Sequence, residues 1–160
     1  MQSKKDFIEI IKDNQGLIYK VVKVYTDGKE SGEDLYQEII YQLWKSFASF
    51  RNEAKLSTWM YRIALNTAIV HLKKEKRKGN QVSIDEIVLN QPDTSDTLKE
   101  EQFAVLYTQI RKLNSIDKAI VLLYLEGKTH EETALITGFT TTNIGTRLSR
   151  IKQKLIAQIN

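Results

Sequence analysis

Side chains suited to binding nucleic acid are concentrated in one stretch of the sequence, from Phe50 to Lys78. Aromatic rings stack on unpaired bases, arginine and lysine bind phosphates, and an asparagine amide pairs with a base edge. The stretch ends in Lys73 to Lys78, where five of six residues are basic. This combination favours a surface for opened DNA over one for closed duplex. The other side chains that carry it are Phe50, Arg51, Trp59, Tyr61 and Asn66.

The same stretch predicts a loop followed by a helix. Phe50 to Ser57 lacks a helical stripe, and Ser57 or Thr58 is the candidate N-cap of the helix that follows. Taken alone, Trp59 is better interpreted as a core aromatic, and a basic run as a solvated helix end. The segment as a whole favours nucleic acid. The apolar residues spaced as one buried helix face are Trp59, Ile63, Ile69 and Leu72.

A second candidate surface lies near the C-terminus and has the layout of a helix-turn-helix. Thr129 with Glu132 forms a capping box for a short helix, and Gly138 lies at the turn. A second helix starts at Thr140 or Thr141, and from Thr140 to Lys154 it carries four basic residues and no acid. The pattern predicts a recognition helix in a DNA major groove rather than a generic bundle helix. Its predicted buried face is Ile144, Leu148, Ile151 and Leu155.

A third candidate surface lies on a helix predicted to begin at Ser31 or Glu33, after a polar loop from Thr26 to Asp34. Taken alone, acids near a helix N-terminus are explained by solvation and the helix dipole. A carboxylate metal site is rejected, because no Glu-x-x-His motif supplies the partner ligands. The polar flank is Asp34, Gln37, Glu38 and Tyr41, and the apolar face is Leu35, Ile39, Ile40, Leu43 and Phe47.

The composition of the whole chain agrees with an all-α protein of one or two small domains. The chain has 160 residues, 41% of them hydrophobic, with one proline and a net charge of +4. It has no cysteine and no apolar run of membrane-spanning length, so a cytoplasmic protein without membrane insertion is expected. No metal motif, phosphate-binding glycine loop or nucleophile elbow is present. We therefore expect no catalysis and no cofactor.

Asp34 to Arg77 resembles region two of the extracytoplasmic-function (ECF) sigma factors, the small promoter-recognition subunits of bacterial RNA polymerase. The resemblance rests on DLYQEIIYQLWKSF, an FR loop and STWMYRIALNTAIVHLKKEKR. It implies that Asp34, Gln37, Glu38 and Tyr41 bind the core polymerase, and that the Phe50–Ser57 loop captures a base flipped out of the minus-ten element. The implied minus-ten residues are Phe50, Arg51, Asn52, Lys55, Ser57, Trp59, Tyr61, Arg62, Asn66, Lys73, Lys74 and Arg77.

The C-terminal part resembles region four of the same family, in which SRL is typical of the recognition helix and the corresponding helix here carries TRLSRI at residues 146–151. This resemblance implies recognition of a duplex minus-thirty-five element. One departure is Gly145, where many members carry lysine, and a glycine inside a helix costs roughly 1 kcal/mol relative to alanine. The implied DNA-contacting residues are Thr141, Thr142, Asn143, Thr146, Arg147, Arg150 and Lys154.

The sequence therefore predicts two small helical domains joined by a flexible acidic linker: region two at 1–78, the linker at 79–96 and region four at 97–160. The implied partners are core RNA polymerase, promoter DNA and, as for many family members, an anti-sigma protein. The alternative is a free-standing helix-turn-helix regulator with an N-terminal dimerisation or sensing domain. That alternative explains residues 97–160 equally well, but it leaves the Phe50 loop and the Asp34–Tyr41 face without a role.

Overall fold

The structure is a computed structural model that describes residues 4–77 and 97–159, with the backbone alone for residues 97–103 and 159. The described residues form helices and no strand, which confirms the predicted all-α class. The predicted linker, residues 79–96, and Lys78 lie outside the described residues. The helices are α1 (Lys4–Asp13), α2 (Gln15–Tyr25), α3 (Lys29–Phe47), α4 (Leu56–Arg77), α5 (Thr97–Arg111), α6 (Ser115–Leu125), α7 (His130–Thr137) and α8 (Thr141–Ile159).

The chain divides into two units, Met1–Gln81 and Val82–Asn160. In the first unit α3 and α4 pack against each other, α2 packs on both, and α1 packs on α3. Apolar side chains with no solvent exposure fill this core, because their spacing along each helix returns them to the same face. Its fully buried residues include Ile18, Val21, Leu35, Ile39, Leu43 and Met60.

The loop between α2 and α3 is shorter than the sequence predicts. A loop from Thr26 to Asp34 was expected from its two glycines, but α3 already begins at Lys29, after Gly28 with φ of 102°. Gly32 lies inside the helix. A Cβ on Gly32 would lie 3.3 Å from Cγ1 of Val22 and 3.4 Å from Oγ1 of Thr26. Gly32 therefore allows α3 to pack closely on the end of α2 and does not form a turn.

The start of α4 also differs from the prediction. The backbone N–H of Trp59 donates to the carbonyl oxygen of Lys55 at 3.1 Å, so the helix begins at Leu56. Ser57 and Thr58, the predicted N-caps, lie within its first turn. The predicted buried face was wrong as well, because its four residues are only half-buried. The face that packs into the core is Thr58, Met60, Tyr61, Ala64, Leu65 and Ala68.

In the second unit α8 packs against α5, α6 and α7, and α6 packs against α5 and α7. Asn114 caps α6, since its side-chain oxygen accepts a hydrogen bond from the backbone N–H of Asp117 at 2.8 Å. The apolar run of α6 is buried from Ala119 to Leu123, whereas Tyr124 and Leu125 at its end are exposed. The predicted buried face of α8 is confirmed at all four positions.

Candidate nucleic-acid and protein interfaces

Four polar and basic side chains form a strip along α4. Arg62, Asn66, Lys73 and Arg77 are separated by intervals of four, seven and four residues, so they lie on one side of the helix. All four are exposed. Lys74, also exposed, lies beside the strip. The strip combines an amide that can pair with a base edge and positive charges that can bind phosphates.

An aromatic stack joins the loop before α4 to the first turn of the helix. The rings of Phe50 and Trp59 lie nearly parallel, at 13°, with centroids 4.7 Å apart. Both side chains are half-buried, and the Trp59 ring also packs near the Phe47 ring, with centroids 6.3 Å apart. A parallel pair uses one face of each ring, which leaves part of the aromatic surface for a further flat group. The stack lies at the same end of α4 as Arg62.

The loop itself exposes Arg51, Asn52 and Lys55 around this stack. Asn52 has φ of 58°, a left-handed conformation that asparagine tolerates better than most residues. This conformation turns the chain sharply between Phe50 and the start of α4. The loop therefore brings two cations and an amide close to the aromatic pair.

Tyr61 is the one fully buried residue among the predicted minus-ten residues. Tyr61 is only 3% exposed and packs in the core of the first unit, so its ring is not presented to a ligand. We leave it out of the candidate surface. Ser57 is half-buried in the first turn of α4. The sequence pattern could not separate Tyr61 from Trp59, because half of the buried face of α4 consists of Thr58, Ala64 and Ala68, which a search for bulky apolar residues overlooks.

The predicted protein-binding face lies along α3. Asp34, Gln37, Glu38 and Tyr41 are all exposed and follow one side of the helix at intervals of three or four residues. The side-chain amide of Gln42 donates to Oε1 of Glu38 at 3.1 Å. Just beside this face, burial raises the pKa of Tyr36, and the charge of Tyr19 and a hydrogen bond with it raise that pKa further. Because all four predicted side chains are exposed on the same side of α3, they form one continuous surface.

A shallow groove between α1 and α3, not predicted from the sequence, extends this face. Tyr41 and Trp44 line it at 56% and 45% exposure, and the ring of Trp44 packs against Phe7 at 5.0 Å. Exposed aromatic residues of this size mark protein contacts. The sequence signal for the groove is the position of Trp44, an aromatic residue of α3 that lies outside the helix's buried face. The groove is lined by Lys4, Phe7, Ile8, Gln37, Ile40, Tyr41 and Trp44.

The helix-turn-helix has the local structure that the sequence predicts. Oγ1 of Thr129 accepts from the N–H of Glu132 at 3.1 Å, and the carboxylate of Glu132 accepts from the N–H of Thr129 at 3.2 Å. Gly138 ends α7 with φ of 86°. Oγ1 of Thr140 then accepts from the N–H of Asn143 at 3.1 Å and caps α8. Six of the seven predicted residues on α8 are exposed: Thr141, Thr142, Asn143, Thr146, Arg150 and Lys154.

Arg147, the seventh, is held within the protein. Its Nη1 lies 3.4 Å from Oδ1 of Asp117 on α6, and its Nε donates to Oδ1 of Asn143 at 2.8 Å. The guanidinium also lies over the Phe139 ring, 4.8 Å from the centroid. The side chain of Arg147 is 34% exposed. No local sequence pattern indicates Asp117 as the partner of Arg147, because the two residues are 30 positions apart.

Comparison with known sequences assigns both units. Residues 10–78 match the family Sigma-70 region 2, and residues 103–155 match Sigma-70, region 4. The chain is similar to the ECF RNA polymerase sigma-E factor of Escherichia coli (strain K12), with 26% identity over 151 residues, 86% of this chain and 79% of that protein. It is also similar to the RNA polymerase sigma factor SigV of Bacillus subtilis (strain 168), with 28% identity over 158 residues, 98% of this chain and 93% of that protein.

Comparison with solved structures supports the same fold. The sigma factor RpoE from Bartonella quintana, solved in complex with the anti-sigma factor NepR, has a TM-score of 0.77 at 21% identity over 94% of each chain. CnrH, solved in complex with the cytosolic domain of CnrY, has a TM-score of 0.69 at 14% identity over 98% of this chain and 89% of that chain. At these identities the structures establish the fold alone.

Proposed function

We propose, from the premise that this chain belongs to the extracytoplasmic-function sigma factors of bacterial RNA polymerase, how its surfaces divide the work of promoter recognition. The unit with α1 to α4 binds core polymerase and the opened minus-ten element, and the unit with α5 to α8 binds the duplex minus-thirty-five element. The domain limits that we propose are 1–78, 79–96 and 97–160. The chain carries out no catalysis of its own.

The observation that carries this proposal is the arrangement of α4. The Phe50–Trp59 stack, the amide of Asn66 and the cations of Arg62, Lys73 and Arg77 follow one another along a single helix within the region-two match. Unstacking a base costs a few kcal/mol, and an aromatic surface that receives the base offsets that cost. The basic end of the helix binds the phosphates of adjoining DNA. The same helix thus serves single-stranded and double-stranded DNA.

For the polymerase we propose the α3 face and the neighbouring groove together. Exposed carboxylates and amides at Asp34, Gln37 and Glu38 supply polar contacts, and Tyr41 and Trp44 supply apolar contact area. Interfaces commonly combine a polar rim with aromatic residues at their centre. A free-standing regulator is not favoured, because it would have no use for a region-two unit with this face.

The localisation and the second protein partner follow from the family. We place the chain in the cytoplasm, where core polymerase and chromosomal DNA are found. Among the described residues, no helix is both long and apolar enough to cross a bilayer. RpoE of Bartonella quintana was solved with an anti-sigma factor, and we propose a protein of that kind as a regulator of this chain.

The test is transcription in vitro from a library of promoter fragments, with the full chain and core RNA polymerase. Transcripts are expected only when both proteins are present. Asn66→Ala should reduce open-complex formation by about tenfold, since a well-placed base contact contributes about 1–3 kcal/mol. Glu9→Gln, an exposed change on α1, serves as the control and should have no effect. Transcription by the polymerase alone, or binding of the chain to duplex without any transcript, would contradict the proposal.

A further inference from the structure

Four side chains form a hydrogen-bonded chain from the start of α6 to the start of the recognition helix α8. The side-chain amide of Asn114 donates to Oδ2 of Asp117 at 3.0 Å. Oδ1 of Asp117 accepts from Nη1 of Arg147 at 3.4 Å, and Nε of Arg147 donates to Oδ1 of Asn143 at 2.8 Å. The series of hydrogen bonds ends at Asn143, which is exposed.

The donor and acceptor atoms available on each side chain fix the direction of every hydrogen bond in this series. Arg147 carries only donors, so whichever atom of the Asn143 amide faces it must be the oxygen. The usual ambiguity between the oxygen and nitrogen of an asparagine is therefore removed by its partner. At the other end, Oδ1 of Asn114 accepts from the N–H of Asp117, which leaves its amide nitrogen to donate to the carboxylate. Each side chain in this series of hydrogen bonds therefore has one permitted orientation.

The position of Arg147 is itself restrained on two sides. The Asp117 carboxylate holds one nitrogen of the guanidinium, and the guanidinium carbon lies over the Phe139 ring, 4.8 Å from its centroid. A cation between a carboxylate and an aromatic face is attracted to both. Asn143 also lies in the first turn of α8, where its backbone N–H donates to Thr140. Its backbone and its side-chain oxygen are therefore both fixed.

We propose that Arg147 is a positioning residue that makes Asn143 present a hydrogen-bond donor, its amide NH2, to the major groove of the upstream element. This inference rests on the proposed function, which places α8 in that groove, where residues near the N-terminus of the recognition helix contact base edges. The preferred base opposite the NH2 then offers an acceptor, as the edges of guanine, adenine and thymine do. Cytosine offers only the N4 amino donor there and is rejected.

A basic residue on a recognition helix can either bind a DNA phosphate or orient a neighbouring side chain. An arginine that binds phosphate weakens all sequences alike when it is removed. An arginine that orients Asn143 changes which base is accepted at one position. Without it, the amide can rotate by half a turn and present its oxygen to cytosine.

The test is a promoter library with a randomised upstream element, transcribed by holoenzyme assembled with the full chain or its variants. The position read by Asn143 is the one that loses its preference in Asn143→Ala. At that position the unmodified protein should use G·C over C·G by at least about fivefold. Arg147→Gln should narrow this ratio to near one, because glutamine donates and accepts and cannot fix the amide. Asn143→Asp should reverse the ratio, because a carboxylate accepts from cytosine N4.

Arg150→Ala is the matched control, since Arg150 is an exposed arginine one turn from Arg147 on the same helix. It should weaken use of all library members without changing the ratio at the Asn143 position. Asn143→Asp keeps the proposal testable if Arg147→Gln fails to fold, which circular dichroism reports. The proposal is overturned if cytosine is used as well as guanine by the unmodified protein, if Arg147→Gln keeps the ratio, or if Asn143→Asp does not reverse it. Transcription from no library member would overturn the proposed function together with this inference.

Discussion

At position 145 the recognition helix carries a glycine that no close approach requires. A Cβ on Gly145 would lie 3.7 Å from both Cε1 and Nδ1 of His130, which is an ordinary van der Waals distance. Gly145 lies in the interior of α8, and its φ is not in the left-handed region. The departure from the family pattern at this position is therefore a loss of helix stability without a steric reason.

We expect Gly145→Ala to raise the free energy of unfolding by about 0.5–1 kcal/mol, because alanine loses less backbone entropy in a helix. Urea denaturation measured by circular dichroism tests this. Gly138→Ala is the matched control and should lower stability by about 1–2 kcal/mol, because Gly138 has φ of 86° at the end of α7. If Gly145→Ala is no more stable than the unmodified protein, the helix needs glycine for a reason that the structure does not contain.

The elements predicted best from the sequence are those that depend on residues close together in the chain. The capping box of α7, the glycine that ends it and the four buried positions of α8 depend on residues close together in the chain, and all were confirmed. The start of α3 was not predictable in this way. Gly32 signals a turn by its type, yet it is helical because α2 packs closely against it. Information of that kind exists only in the tertiary structure.

The candidate sites show the same limit. The exposed strip on α4 follows from spacing, but the burial of Tyr61 depends on which face of α4 meets α2 and α3. The contact of Arg147 with Asp117 joins two helices far apart in the chain, and no local pattern indicates it. The residue types of the candidate DNA surfaces are therefore predictable from the sequence, whereas their division between surface and interior requires the fold.

The basic end of α4 leads to a prediction about salt dependence. If Lys73 binds a phosphate, its removal reduces the number of counterions released when holoenzyme binds promoter DNA. Lys73→Ala should then lower the slope of log affinity against log salt concentration by about 0.7–0.9. Binding measured between low and moderate salt gives this slope. Lys12→Ala, an exposed lysine in the last turn of α1, should leave it unchanged. A slope that is equal in both variants would remove Lys73 from the DNA-binding strip.

At the scale of the whole molecule, the chain is two units that each have a buried core and a candidate DNA surface. Two weak contacts on one chain bind far more tightly together than separately, by about 10²–10⁴, provided that both can be made at once. An ECF sigma factor gains this advantage when polymerase holds both units on one promoter. The two surfaces then work as one site whose geometry the promoter must match.

This joint action predicts that the distance between the two promoter elements matters as much as the sequence of the upstream element. Inserting about five base pairs turns the upstream element to the opposite side of the duplex, since one helical turn is about 10–10.5 base pairs. Transcription in vitro should fall by about 10² or more, the loss expected when one of two linked contacts cannot form. Scrambling the upstream element at the original distance should cause a loss of the same size, because both changes leave the downstream contacts alone. If the insertion leaves transcription intact while the scrambled element abolishes it, the second unit binds its element without being held at a fixed distance from the first.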